Sequence, residues 1–302
     1  MNLFVLNVLA AAPLTAPRTP WVSVRLDGRL GNNMFQVASA MGLAHLHQAQ
    51  LCVDQGPAKT ELNRIFAREL PPDCPPFVWF AEEEERGYAT HQSFSIRKNT
   101  RVGHYLQSWK YFDSEELERW VREQFRFNPR ILRQARRIVG EKSRHTVGIH
   151  VRRGDHVEKY DYLKFPPDEY YENIFKLYPR SRMIIVSDNI EWCTHYSVFQ
   201  KHSDRISFLN TATTPAVDMA VLSLCDAVVL SVGTFGWWGG YLSGGEVVYT
   251  EDEFDMEHAI NTGSVTKDDY YLPEWKAAPA PTPAPAPDSD AAVPQFKFKE
   301  SH

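Results

Sequence analysis

Two adjacent arginines, Arg152 and Arg153, and a carboxylate, Asp155, stand in the run VGIHVRRGDHVEKY between Val147 and Tyr160. A guanidinium forks onto phosphate oxygens through two parallel charge-assisted hydrogen bonds, so a pair of them with an acid to orient one makes a clamp for a diphosphate. Just ahead, Val147, Ile149 and Val151 alternate with Thr146, Gly148, His150 and Arg152, which is strand spacing and puts His150 and Arg152 on one face and Arg153 on the other. Open α/β sheets take ligands beyond the carboxyl ends of their strands, and the arginines fall there. A surface salt bridge between Arg153 and Asp155 is the plainer reading of the same residues. His150 reads as a packed, hydrogen-bonded strand histidine.

Three more strand ends carry polar groups. Ser187, Asp188 and Asn189 follow the apolar run IIV; Ser231, Val232, Gly233, Thr234, Phe235 and Gly236 follow AVVL and lead toward a helix expected at Trp237. Hydroxyls and free amides at a helix start suit an anion, and small residues let it approach the backbone. The third, DGRLGNN from Asp27 to Asn33, reads as a turn in which Gly28 and Gly31 permit tight geometry and Arg29, Asn32 and Asn33 offer polar groups. Asp188 and Asn189 suit either a ribose or the cap of the next helix. Neither GxGxxG nor GxxxxGK[ST] occurs, which disfavours the usual dinucleotide oxidoreductases and P-loop NTPases.

The elements that must position these groups follow a strand, loop, helix rhythm. WVSVRL is a strand, MFQVASAMGLAHLHQA a helix with apolar residues at helical spacing, and QLCVD the next strand, which together form a β-α-β unit of a parallel sheet. The grammar returns from HTVGIHV through SRMIIVSDN to AVVL and EVVYT. Between the halves, SEELERWVREQF reads as a helix capped by Ser114 with acids in its first turn. The boundary is placed near residue 140: an N-terminal α/β domain over 21–140, a C-terminal one over 141–275, and a cleft between them. The run Glu82 to Arg86 reads as a solvated loop. Trp109 and Tyr111 read as interface packing, at least one of Trp237 and Trp238 as core, and Lys110 as a surface cation.

The 302 residues, 43% of them hydrophobic, suffice for two medium cores, and a net charge of -5 gives no general attraction to nucleic acid. Cys52, Cys74, Cys193 and Cys225 have no CxxC spacing, so no zinc site is expected; Cys52 and Cys225 lie in apolar runs as buried thiols, with room left for one disulfide. The leader over residues 1–20 is apolar from Leu3 to Leu14, too short for a bilayer span, and reads equally as a weak signal, a truncated anchor or a plain leader that associates weakly with membranes. No N-x-[ST] sequon occurs. The Ala/Pro-rich stretch over 276–302 is expected to be an unfolded tail.

GRLGNN followed by MFQVA, then VGHYLQSWKYF, HVRRGD, VSDN and DMAVLSLCDAVVLSVGTFGWWGGYL resemble, in order and spacing, the landmarks of the α-1,2-fucosyltransferases of glycosyltransferase family 11, over about residues 22 to 275. The resemblance implies an α/β, GT-B-like fold of two Rossmann-like domains facing a cleft, the C-terminal half binding the nucleotide sugar. It implies an inverting enzyme that carries α-L-fucose from GDP-fucose to O2 of a terminal β-galactose on a glycan, with no metal required. Arg152 then corresponds to the pyrophosphate-binding arginine, supported by Arg153 and Asp155. Asp218, sixteen residues before Thr234, corresponds to a nucleoside-contacting acid and Thr234 to a phosphate-contacting hydroxyl, with Ser231, Phe235, Ser187 and Asp188 lining the nucleotide. Asn32 corresponds to an asparagine that faces the reacting centre from the N-terminal half. Asn33 replaces the family's usual glutamine, and Gly233 and Gly236 stand where serines are frequent. Asp155, His156, Glu158 and Asp161 are equal candidates for the base, beside water or phosphate. Eukaryotic relatives are Golgi membrane proteins with a lumenal catalytic domain and bacterial ones are cytoplasmic. Two rival readings stand beside this one: a fucosyltransferase of other linkage, such as the α-1,6 enzymes whose coiled-coil and SH3-like extensions this sequence lacks, and a non-catalytic glycan-binding or scaffold protein on the same fold.

Overall fold

A computed structural model of the chain describes residues 19–84, 89–141, 144–154, 165–209, 212–250 and 266–278. Two parallel sheets organise them. The first takes β1 (Trp21–Val24), β2 (Gln50–Val53), β3 (Ala81–Glu84) and β4 (Thr100–Gly103) in the order β2-β1-β4-β3. The second takes β5 (Thr146–Val151), β6 (Arg182–Ser187), β7 (Ile206–Phe208), β8 (Ala227–Val229), β9 (Glu246–Tyr249) and β10 (Lys276–Ala277) in the order β10-β9-β8-β5-β6-β7. The chain builds outward from β5 to β7, then returns to start again at β8 on the other side of β5. The reversal between β5 and β8 is the crevice where such sheets hold ligands.

All six residues of β5 are buried, because helices cover both faces of the sheet and a doubly covered parallel strand has no wet side. Val147, Ile149 and Val151 pack with Met183 and Ile185 against Tyr170, Tyr171, Ile174 and Phe175 of α5 (Asp168–Leu177). On the other face a Cβ at Gly148 would press on Leu222 and Cys225, so glycine lets α8 (Pro215–Leu222) lie close. Between these helices run α6 (Ile190–His195) and α7 (Ser197–Gln200).

The first half contributes α1 (Leu30–Leu46) and α2 (Pro57–Ile65), and the connection contributes α3 (Glu115–Gln124) and α4 (Pro129–Val139). Ser114 caps α3 by accepting from the Leu117 amide at 3.2 Å, and Asn128 caps α4 by accepting from the Arg130 and Ile131 amides at 3.0 Å. The C-terminal carbonyl of α4, Val139, accepts from Arg182 of β6 at 2.6 Å, which ties this helix to the second sheet.

One core runs through both halves. The ring of Phe35, on α1, lies 4.4 Å from that of Trp237 and 5.1 Å from that of Trp238, both on α9 (Thr234–Ser243) and both fully buried. Trp238 Nε1 donates to the Gly31 carbonyl at 2.9 Å, and Trp237 Nε1 to that of Tyr270 in α10 (Lys267–Tyr270) at 2.7 Å. A Cβ at Gly31 would come within 2.8 Å of the Thr234 backbone, so the two helix starts meet where only glycine fits. Both tryptophans are core, and so is Tyr111, whose ring lies against His91 and Phe94.

Several expectations are corrected. Cys52 is not a free thiol: it is bonded to Cys74, because the chain after α2 folds back to bridge Val53 with Asp73, a return that a 22-residue separation conceals. Buried Lys59 seals that turn, donating to Pro71 O and Asp73 Oδ1, each at 2.7 Å. Cys225 is a buried thiol outside any disulfide, donating to the Val221 carbonyl at 3.3 Å. Glu82 and Glu83 belong to the edge strand β3 rather than to a loop, since pairing with β4 occupies one side and leaves the other wet; Glu85 and Arg86 lie outside the described residues. Lys110 is not a lone surface cation, for its ammonium is 2.6 Å from Asp269. Lys276 and Ala277 are strand, paired with β9, so the stretch expected to begin an unfolded tail completes the sheet; residues 279–302, like 1–18, are not among those described. Helix α1 begins at Leu30, which puts Asn32 and Asn33 in its first turn and leaves the bend to Gly28 at φ 83°. Helix α9 begins at Thr234, not Trp237.

Closing a loop of this length with a disulfide stabilises a fold by about 3 kcal/mol. Urea unfolding of the Cys52→Ala/Cys74→Ala form should show a loss of that order, and the reduced wild type should match it.

Candidate functional site

The arginine loop leaves the carboxyl end of β5 directly at Arg152. Its backbone amide donates to Ser231 Oγ of the β8 end at 2.9 Å, so the loops at the reversal point are stitched together. The Arg152 side chain is only 12% exposed and its guanidinium is ion-paired with Asp188, at the end of β6. The same carboxylate accepts from the Arg153 amide at 2.8 Å and the Gly154 amide at 3.0 Å. One aspartate therefore fixes both the loop's backbone and the direction of its first guanidinium. A Cβ at Gly154 would run into that carboxylate, which is why the residue after the arginines is glycine.

Arg153 is directed elsewhere. Its guanidinium lies 4.1 Å from the centre of the Trp192 ring and 5.2 Å from that of Phe165, a cation–π seat for the charge. Trp192 is placed by the cap of α6: Asn189 Oδ1 accepts from the Trp192 amide at 3.0 Å, and Ser187 Oγ accepts from the Asn189 amide at 3.0 Å. Asn189 is thus a helix cap and Ser187 supports it. Asp155, expected to orient an arginine, lies outside the described residues, as do His156, Glu158 and Asp161; among those described, the orienting acid is Asp188.

His150, buried in β5, has Nδ1 3.2 Å from Ser231 Oγ. Because Ser231 accepts from the Arg152 amide, its own proton is free to go to His150, which keeps the histidine inside the polar chain that holds the loop. Phe235 lies against the imidazole at 5.5 Å, and a Cβ at Gly236 would strike the ring. A serine there would displace His150, which accounts for the glycine.

Gly233, at φ 91°, turns the chain into α9, whose first-turn N–H groups have no intrahelical acceptors and face an anion favourably. Across the junction, Thr234 Oγ1 donates to Asn32 Oδ1 at 2.7 Å and Gln107 Nε2 donates to the same oxygen at 3.3 Å. The Gln107 and Asn33 side-chain oxygens are buried with no hydrogen-bond partner among the described residues.

Asp218 stands apart, in the first turn of α8. Burial pushes its carboxyl up to about 6, against a smaller opposing hydrogen bond from Thr213, and its Oδ1 is buried with no partner among the described residues. Among the described residues no group of three His, Cys, Asp or Glu side chains is placed to hold a metal ion.

Of the residues singled out in the sequence, the structure brings Arg152, Asp188 and Ser231 into one hydrogen-bonded unit and Asn32 to Thr234. Two neighbours of these residues are not among those singled out: Trp192, which the cap spacing after Asn189 does signal, and Gln107, for which the sequence carries no signal.

The comparisons agree with this architecture. Residues 76–278 match the model of glycosyl transferase family 11. The chain is 26% identical over 299 residues to the galactoside 2-alpha-L-fucosyltransferase Sec1 of Mus musculus, covering 89% of this chain and 77% of that protein. Among solved structures it resembles NodZ alpha-1,6-fucosyltransferase soaked with GDP-fucose, with a TM-score of 0.52 at 15% identity, covering 78% of this chain and 96% of that one. It also resembles a mutant of Arabidopsis thaliana FUT1 in complex with GDP, with a TM-score of 0.51 at 13% identity, covering 77% and 70%. At these identities the structural likenesses speak for the fold, which is α/β and GT-B-like.

A carboxyl held near pH 6 has a stability consequence. Below about pH 4 Asp218 is neutral whether the chain is folded or not and contributes nothing; as pH rises toward 6 the unfolded chain ionises first and folding loses ground. Asp218→Asn should therefore become the more stable form progressively between about pH 4 and 6, with the difference constant above that, measured by urea midpoints across pH.

Proposed function

The chain belongs to glycosyl transferase family 11, and on that premise we propose that it transfers L-fucose from GDP-fucose to O2 of a terminal β-galactose on a glycan, with inversion at the fucose anomeric carbon. The observation that carries the reading is Arg152, held by Asp188 and by Ser231 at the reversal point of the sheet. The relatives' names supply the sugar and the linkage; the titles of the structural neighbours supply GDP and GDP-fucose.

Breaking the bond between fucose C1 and the phosphate oxygen leaves negative charge on GDP and positive character on the sugar. A guanidinium already aimed at that oxygen gains strength as charge develops and needs no reorganisation to do so. Arg152 takes this role. The first-turn amides of α9, at Thr234, Phe235 and Gly236, add fixed partial charges to the same phosphates. The Thr234 hydroxyl already donates to Asn32, so Thr234 serves the phosphates through its amide, and its side chain aims Asn32 at the junction where donor and acceptor meet. Asp218 suits guanine, because its unfilled Oδ1 accepts from the N–H groups on that base's edge. The acceptor hydroxyl loses its proton as the C1–O2 bond forms, and Asp155, His156, Glu158 and Asp161, which follow the clamp in sequence, are the candidate bases beside water and phosphate.

The Cys52–Cys74 disulfide supports an oxidising compartment for the folded chain, in keeping with a lumenal Golgi enzyme.

The test is GDP release from GDP-fucose with and without lactose, together with the mass of the product. Lactose-dependent release of a fucosylated sugar is expected, falling by about 10² to 10³ in Arg152→Ala. Asp188→Asn should keep the charge but lose its aim, and fall by roughly tenfold or more. Tight GDP binding with no turnover on any β-galactoside would overturn the reading.

A further inference from the structure

The first sheet has a second working end. All four of its strands start on one side: the Trp21 amide donates to Asn99 Oδ1 at 3.1 Å, the Ala81 amide to Asn99 O at 2.9 Å, and the Gln50 amide to Pro20 O at 2.8 Å. Around this side stand three large apolar side chains in water. Leu46, at the end of α1, is 71% exposed, Trp79 is 75% exposed, and Phe77 is fully exposed. Scattered single apolar residues are ordinary on a surface, but two fully or largely exposed aromatics in one short loop, Phe77 and Trp79, are not.

Two further observations bear on what covers them. Phe77 holds φ at 65°, a left-handed conformation that bulky residues avoid at a cost of order 1–3 kcal/mol. The loop that forces it there, Cys74-Pro-Pro-Phe-Val-Trp-Phe, is pinned at one end by the bond to Cys52 and at the other by buried Phe80 and β3. Beside it, Arg97 and Lys98 are exposed and make no ion pair among the described residues. Glu82, one step up the edge strand, is held by Arg101 at 2.8 Å, while Glu83 is exposed further along. The chain also enters β1 on this side, and the eighteen residues before the first described one include the apolar run from Leu3 to Leu14.

We propose that this face rests on a lipid bilayer, with Phe77 and Trp79 inserted at the headgroup level and Arg97 and Lys98 meeting anionic headgroups. Aromatic rings with one wet and one apolar side collect at that depth, and weak apolar segments anchor firmly only when a second contact joins them. The rigid loop suits insertion because its aromatics are already presented, so little conformational freedom is lost on contact. The ligand crevice at the carboxyl ends of the strands then points away from the membrane. The proposal rests on this surface and not on the identity of the reaction.

The full chain is to be sedimented with vesicles of phosphatidylcholine, and of phosphatidylcholine with a minority of phosphatidylserine, beside the Phe77→Ser/Trp79→Ser form. The wild type should partition onto both, more onto the anionic vesicles, and the double variant should partition about tenfold less with an unchanged melting temperature. Equal partitioning of both forms would mean that the leader alone binds, and would overturn the proposal, as would no binding by either. A wild type that is dimeric in light scattering, binds no vesicle and becomes monomeric in the double variant would assign the face to a second copy of the chain and overturn it as well.

Discussion

The close approach of two helix starts, Gly31 of α1 on Thr234 of α9, fixes much of what this chain can do. A side chain at Gly31 would drive the helices apart. With hydrogen there, the Trp238 indole reaches the Gly31 carbonyl and Phe35 lies against both tryptophans. The same contact brings Asn32 to Thr234, so the polar junction between the halves is a by-product of apolar packing. The Thr234 hydroxyl and the Gln107 amide answer the Asn32 oxygen there, as groups withdrawn from water generally must be answered.

The second constraint is electrostatic. Arg152 is mostly withdrawn from water, a position that costs stability unless an acid and further hydrogen bonds answer the charge. Asp188 answers it while also binding two backbone amides of the loop. The loop's shape and the guanidinium's aim are therefore one structure, and a ligand phosphate would meet a charge already in place. Arg153 follows another rule: its aromatic seat leaves all of its N–H donors unclaimed by a carboxylate in the described structure, so the two neighbouring arginines differ in how freely they turn.

The general plan was legible because it rests on local rules. Alternation in VGIHV marked β5, the cap at Ser114 marked α3, and the run of small residues from Ser231 to Gly236 marked the turn into α9. What stayed hidden depends on residues far apart in sequence. The pairing of Cys52 with Cys74 follows from a chain reversal, the ion pair of Lys110 with Asp269 spans 159 positions, and the contact of Gln107 with Asn32 spans 75. No window of sequence contains both members of such pairs. Asp188 shows an intermediate case: its place at a strand end was readable, but the number of groups it would hold was not, since that depends on how β5 and β6 stand side by side.

The aromatic core that crosses from one half to the other bears on motion. In many two-domain proteins the halves swing about a hinge, and closure over the ligand is part of the cycle. Here an opening wide enough to part α1 from α9 would wet Phe35, Trp237 and Trp238, at roughly 1.5–3 kcal/mol for each large side chain exposed. Such a swing would be a rare excursion, and the chain would melt as a single cooperative block rather than half by half. The crevice is then bordered by a frame that does not have to part for a ligand phosphate to meet the arginine loop.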